Sequence, residues 1–145
     1  MSLTSHSCAL SARSVDGMET DPRRTLGECG ERLACRHLEA RGFVILDRNF
    51  RTACGELDVV ARNERFLVFC EVKARIVRGE PGGPLGPFDA IGARKRRRVR
   101  GMAREWLAAR SLPPPRPPEL RFDAIGVEFD MCGRLVRLEH LEDAF

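Results

Sequence analysis

Two neighbouring strand-like segments most constrain how this chain can fold. In FLVFCEVKAR, side chains two positions apart share one face of an extended strand, so Leu67, Glu71 and Lys73 should lie together. The preceding segment, GELDVV, is separated from it by a short turn at Asn63 and Glu64, which predicts a tight hairpin. An acidic and a basic side chain therefore emerge together from an otherwise apolar strand.

Asp58 lies between apolar residues in the first strand of this hairpin. We expect Leu57 and Val59 to face one side of the strand, and Asp58 with Val60 to face the other. A charge in apolar surroundings is unfavourable unless it is paired or bound to a metal. If the register brings Asp58 beside Glu71, the two carboxylates repel each other, and a divalent Mg²⁺ or Mn²⁺ would relieve the repulsion. The structural alternatives for Asp58 are a capping role and an ion pair with an arginine.

The remaining pattern predicts an α/β fold, a mixed central β-sheet flanked by helices in the order α-β-β-β-α-β-β. Thr25 and Glu28 have the spacing of a helix capping box, and Gly42 is a suitable helix stop. A Gly/Pro-rich stretch at 76–87 predicts a loop beside the site. The predicted helices cover 25–41 and 91–110, and the predicted strands cover 43–49, 56–61, 65–74, 121–129 and 135–138.

The chain is predicted to hold one folded domain, residues 23–145, behind a flexible N-terminal extension at 1–22 that is rich in Ser and Thr. An apolar fraction of 43% with 32% charged residues is typical of a folded globular protein. The apolar runs are too short to span a bilayer, so we expect a cytoplasmic protein with no membrane partner. The six cysteines form no CxxC pair, which favours free thiols over zinc or disulfides.

Positive charge is concentrated at residues 94–100, where six of seven residues are basic and the whole chain has a net charge of +4. This cluster predicts contacts to nucleic acid phosphates, although a solvated helix face has the same composition. Only Lys73 and Lys95 among the 25 basic residues are lysine. An ammonium group can lose its proton when buried, unlike a guanidinium group, so each lysine is a candidate for a chemical role.

These segments together resemble known nucleases. Asp58, followed thirteen residues later by Glu71-Val72-Lys73, resembles the PD-(D/E)xK nuclease core. The helix GECGERLACRHLEARGF resembles the opening helix of archaeal Holliday-junction resolvases, in which Glu31 matches an acidic position. From Leu26 to Phe145 the chain resembles the bacterial UPF0102 (YraN) family through GELD, VFCEVKAR, ARKRRR, RFDAIGVE and the terminal HLEDAF.

The resemblance implies a restriction-endonuclease-like core and a metal-dependent endonuclease that hydrolyses phosphodiester bonds in DNA, including branched or otherwise structured DNA. DNA is favoured over RNA as the partner, and a homodimer is compatible with the prediction. Asp58, Glu71 and the Val72 carbonyl would hold Mg²⁺ or Mn²⁺, Lys73 would orient or deprotonate the attacking water, and Glu31 would bind a second ion or a metal-bound water. The residues predicted to contact nucleic acid are Arg75, Arg94, Lys95, Arg96, Arg97 and Arg98.

Two other classes of function fit the same sequence. A catalytically inactive module with the nuclease fold would keep nucleic acid binding but would not need the metal. A protein-interaction adaptor would use the basic helix against an acidic partner. Asp123 matches the family without an assigned role, and His37 and His140 are expected to be structural.

Overall fold

The computed structural model describes residues 21–80, 92–112 and 119–145. The predicted element order, α-β-β-β-α-β-β, is confirmed. The expectations for the N-terminal extension up to residue 20 and for loop residues 81–87 lie outside the described residues. The elements are α1 (Pro22–Ala40), β1 (Val44–Thr52), β2 (Gly55–Arg62), β3 (Phe66–Ile76), α2 (Ala93–Ala109), β4 (Glu119–Phe129) and β5 (Leu135–Leu141).

The five strands form one mixed sheet in the order β1-β2-β3-β4-β5. All neighbouring strands are antiparallel except β3 and β4, which run parallel from the Phe66–Glu119 pair to the Ile76–Phe129 pair. Parallel strands cannot be joined by a tight turn and need a crossover connection, which here contains α2. The crossover places α2 against the face of the sheet opposite α1.

Each helix covers one apolar face of the sheet. Side chains alternate along β3 as predicted, because Val68, Cys70 and Val72 pack in the core cluster under α1, whereas Leu67 and Phe69 pack in the cluster under α2. No helix in the described part of the chain is long and apolar enough to cross a membrane. The hydrophobic core residues contributed by the helices are Ala34, Cys35 and Leu38 from α1, and Val99, Met102, Ala103 and Trp106 from α2.

The helix boundaries correct one prediction. Thr25 does not cap α1; Asp21 is the N-cap, and its Oδ1 accepts a 3.0 Å hydrogen bond from the Arg23 N–H. Pro22 follows at the first helical position, where its missing N–H has no cost. The proposed stop at Gly42 is confirmed, since this residue follows the C-cap Arg41 and has a φ of +85°.

A buried polar network gives Asp123 a structural role. Its carboxylate, fully buried, accepts hydrogen bonds from the Arg121 guanidinium and from the Asp143 N–H. His140 Nε2 lies 2.7 Å from Asp123 Oδ2, and His140 Nδ1 lies 3.1 Å from His37 Nε2 on α1. Although burial opposes it, the hydrogen bonds from His140 and Arg121 hold the pKa of Asp123 below its ordinary value. The network links β4, the C-terminal segment and α1.

Gly30 determines how closely α1 approaches the sheet. A Cβ atom added at Gly30 would lie 2.7 Å from the Ala74 Cβ, whereas one added at Gly27 on the same helix would meet nothing within 4 Å. Gly30→Ala should therefore destabilise the protein by about 1–3 kcal/mol through overpacking. Gly27→Ala, the matched control, should be neutral or stabilising by up to about 1 kcal/mol through helix propensity.

Urea denaturation of both variants measures this difference. Equal free energies of unfolding for the two variants would show that α1 can move away from β3 without cost.

Candidate functional site

A pocket of about 630 Å³ lies between the N-terminal half of α2 and strands β2 and β3. It brings together four residues that the sequence marked as chemical candidates, namely two acids and two lysines. The acids come from the paired strands, and the basic residues come from both β3 and α2. The charged residues of its lining are Glu56, Asp58, Glu71, Lys73, Arg94, Lys95 and Arg98.

Asp58 lies where β2 and β3 separate. Backbone pairing between these strands ends at Val59 and Cys70, and Asp58 Oδ2 then accepts a 2.8 Å hydrogen bond from the Val72 N–H. The expected alternation is wrong at this point, because Leu57 packs in the cluster under α2 while Val59 packs under α1. The other neighbour of β2, strand β1, has an irregular backbone at the same level, since Asn49 has a left-handed φ of +52°.

The surroundings of Asp58 disfavour its charge. Burial raises the pKa of Asp58 to about 6, and the negative charges of Glu31 and Glu71 contribute to the increase. The hydrogen bond from Val72 and the charge of Lys73 act in the opposite direction. The repulsion expected between Asp58 and Glu71 is thus a feature of the folded protein.

Both lysines of the chain contact the same carboxylate oxygen. Lys73 Nζ lies 3.3 Å from Glu71 Oε1, and Lys95 Nζ lies 3.1 Å from that oxygen. Glu71 is partly buried, with a side-chain exposure of 19%. One lysine reaches Glu71 from its own strand and the other from α2.

Polar contacts with β1 and with the β1–β2 turn fix α2 above the sheet. Asp47 Oδ2 accepts hydrogen bonds from the Trp106 indole at 3.0 Å and from the Arg110 guanidinium at 2.7 Å. Glu105 accepts a bond from the Ala53 N–H at 3.0 Å. These contacts fix the position of the basic helix relative to the acids of the pocket.

Gly55 allows Arg98 to enter the pocket. A Cβ added at Gly55 would lie 3.0 Å from the Arg98 guanidinium, and the glycine also has a φ of +145°. The glycine of GELD therefore meets two physical requirements, an unusual backbone conformation and the close approach of a cation. This contact was not predictable from the sequence pattern.

Several candidates lie outside the pocket lining. Glu31 accepts a 3.0 Å hydrogen bond from the Asn49 side chain and reaches Asp58 only through its charge. Arg75 pairs with Glu128, a fully buried acid on β4 that the sequence did not single out. The remaining two, Arg96 and Arg97, are exposed on α2.

The donor atoms suit a hard divalent cation. Among the residues described, no group of three or more His, Cys, Asp and Glu side chains is placed to hold a metal. Magnesium, however, is commonly bound through one or two carboxylates, with water and substrate phosphates completing its ligands. Asp58 and Glu71 provide two such carboxylates in one pocket. The backbone N–H of Val72 donates a hydrogen bond to Asp58. The role of the Val72 carbonyl as a metal ligand stays a prediction.

The raised pKa of Asp58 predicts a pH dependence of stability. The folded protein binds a proton at Asp58 below about pH 6, whereas the unfolded chain does so only below about 3.8. The cost of the charge is therefore absent below the ordinary pKa of 3.8, grows as the pH rises from there to about 6, and is fully present above that pH. Asp58→Asn, which keeps an acceptor for the Val72 N–H, should stabilise the protein at pH 7 by about 1–3 kcal/mol.

Urea denaturation of both proteins between pH 4 and 8 tests this expectation. The difference between variant and wild type should shrink towards pH 4, and a constant difference would show that Asp58 carries no charge cost.

The chain is similar to known proteins of one family. The model of UPF0102, described as an uncharacterised protein family, matches residues 30–127. A UPF0102 protein of Parafrankia sp. (strain EAN1pec) is 46% identical over 121 residues, covering 83% of this chain and 95% of the relative. A UPF0102 protein of Syntrophotalea carbinolica is 44% identical over 126 residues, covering 87% of this chain and 95% of the relative. The chain belongs to the UPF0102 family.

Proposed function

We propose that this protein is a metal-dependent endonuclease that hydrolyses phosphodiester bonds in DNA. The observation that carries the proposal is the convergence of Asp58, Glu71, Lys73 and Lys95 in one pocket. Two carboxylates and two ammonium groups in a single pocket suit the binding of a cation together with an anionic phosphate. The resemblance of GELD and EVKAR to the PD-(D/E)xK nuclease core supports the same conclusion.

Asp58 and Glu71 are the residues that would hold Mg²⁺ or Mn²⁺. Such a cation supplies positive charge that offsets the charge developing on the phosphate and promotes ionisation of the attacking water. The raised pKa of Asp58 supports this assignment, since a nearby positive charge would favour the ionised carboxylate. The folded chain therefore has an electrostatic reason to bind a cation here.

Lys73 would act on the reacting phosphate. Its side chain lines the pocket and is 46% exposed, so its ammonium group would be accessible to a phosphate bound there. An ammonium held there stabilises the negative charge of the transition state and orients the attacking water.

Arg94 and Arg98 would bind the neighbouring phosphates of the DNA. Both line the pocket, and both lie on the face of α2 that carries Lys95. Contacts of this kind are made to the sugar-phosphate backbone and carry no sequence preference.

A catalytically inactive DNA-binding module is the second candidate, and the same geometry gives it specific support. Asp58 has a structural partner in the Val72 N–H, and Glu71 has two lysine partners. Acids that are satisfied in this way do not require a metal for the stability of the fold. Metal binding and cleavage therefore distinguish the two candidates.

Addition of Mn²⁺ at about a hundredfold excess over its Kd should raise the melting temperature by roughly 5–10 °C, because only the folded state offers the site. Glu71→Gln should abolish the increase, since it removes the charge of one ligand. Lys73→Met should retain the increase but lower cleavage of DNA on the order of a hundredfold, because its role is in the transition state. Differential scanning calorimetry and nicking of branched, flapped and single-stranded DNA provide the measurements.

If the melting temperature does not change when Mn²⁺ or Mg²⁺ is added and none of the DNA substrates is cleaved, the enzyme proposal is contradicted and the binding module is favoured. Asp58→Asn separates the effects further: its melting temperature should be higher without metal and insensitive to added Mn²⁺.

DNA affinity should depend more on the pocket face of α2 than on its outer face. The double variant Arg94→Ala/Arg98→Ala removes two cations that line the pocket, whereas Arg97→Ala/Arg104→Ala removes two that do not. The first pair should lower the slope of log affinity against log salt by about 2, roughly one for each lost phosphate contact, and the second should lower it less. Fluorescence anisotropy at several salt concentrations measures the slopes.

Equal losses in the two double variants would show that binding reflects only the net charge of the helix. Unrelated DNA sequences should give the same ranking of variants, since phosphate contacts do not read bases.

A further inference from the structure

We propose that Lys95 is a second active-site lysine, which positions the Glu71 carboxylate from the α2 side and sets how strongly the pocket binds a divalent cation. The proposal rests on the proposed function, because it assigns a role within the same site. It goes beyond the resemblance to PD-(D/E)xK nucleases, which concerns only the lysine that shares a strand with Glu71. Its basis is the 3.1 Å contact between Lys95 Nζ and Glu71 Oε1.

The position of Lys95 follows from the packing of α2. Residues three and four apart lie on one side of a helix, so Lys95 extends the stripe formed by Val99, Met102 and Trp106. These three side chains are at most 4% exposed, which fixes the rotation of the helix about its axis. Lys95 therefore has to point between α2 and the sheet, towards Glu71.

The Lys95 side chain is held more firmly than that of Lys73. It is 29% exposed, compared with 46% for Lys73, and its ammonium group lies 5.5 Å from the centroid of the buried Phe145 ring. An aromatic face at this distance attracts a cation and limits where the ammonium can move. Lys95 is thus the better fixed of the two partners of Glu71.

The choice of lysine has a physical reason. Arginine supplies 23 of the 25 basic residues, yet both cations on Glu71 Oε1 are lysine. A guanidinium tends to bind a carboxylate through two parallel hydrogen bonds, which would occupy both oxygens of Glu71. An ammonium is a compact charge that can hold one oxygen and leave the other available. The two lysines therefore fix Glu71 without closing it to a metal.

Two consequences follow for the metal. Because the Lys95 charge competes with a divalent cation for Glu71, its removal should strengthen metal binding. Because Lys95 also fixes the carboxylate, its removal should impair the reaction although the metal binds more tightly. Opposite effects on affinity and turnover distinguish this role from a general effect on stability.

Isothermal titration of the full chain with Mn²⁺ alone tests the first consequence. Lys95→Met and Lys95→Gln keep the unbranched stem and should bind Mn²⁺ about three- to tenfold more tightly than wild type. Lys95→Arg keeps the charge and should bind no more tightly than wild type. Arg104→Met removes a charge from an exposed position of the same helix outside the pocket and should change the affinity by less than about twofold. Thermal melting of each variant checks that it is folded.

Steady-state cleavage of DNA tests the second consequence. Lys95→Met should lower kcat by about tenfold or more and leave KM within about twofold, because the carboxylate is displaced rather than the DNA. Wild-type protein that binds Mn²⁺ and cleaves DNA while Lys95→Met behaves like Arg104→Met would overturn the role of Lys95 alone. Tighter Mn²⁺ binding by Lys95→Arg would overturn it as well, since the effect would then come from packing. Wild-type protein that neither binds Mn²⁺ nor cleaves DNA would overturn the proposed function and the role of Lys95 with it.

Discussion

The parallel pairing of β3 with β4 is the constraint on which the site depends. It joins eleven residue pairs, from Phe66–Glu119 to Ile76–Phe129, so the chain has to cross over between these strands. The crossover contains α2, which packs on the face that carries Glu71 and Lys73. Without the crossover, the two lysines would have no reason to meet, since Lys73 comes from the sheet and Lys95 from the helix.

The pocket contains nearly equal numbers of acidic and basic side chains, but the positive charges are not shared equally between Asp58 and Glu71. Glu71 has two ammonium partners, whereas Asp58 has a backbone N–H and is near the negative charges of Glu31 and Glu71. The negative charge of Asp58 is therefore unfavourable in the folded protein, and its raised pKa reflects this. A residue that is unfavourable in the folded protein but well placed for a cation is typical of functional sites.

The sequence predicted those parts of the fold that depend on local pattern. The hairpin follows from alternation and a short turn, although three residues, 63–65, separate the strands instead of the two predicted. Gly42 ends α1 because few other residues accept its backbone conformation. The separation of Leu57 and Val59 onto opposite faces was not predictable, since it accompanies a left-handed backbone conformation at Asn49 in the neighbouring strand. Pairs of residues that are far apart in the sequence were not predictable either, because a local pattern does not show which strands become neighbours. Thus Arg75 carried the pattern of a phosphate ligand, but its partner Glu128 lies 53 residues away.

Asp58 shows why a structural and a chemical role need not exclude each other. Its side chain accepts the Val72 N–H at the point where strand pairing ends, and a neutral amide could do the same. The hydrogen bond therefore accounts for a polar side chain at position 58 but not for an acid. The acid carries an electrostatic cost that an asparagine would avoid, since burial and two nearby carboxylates raise its pKa to about 6. The fold alone gives no reason for that cost, whereas a bound cation would remove it.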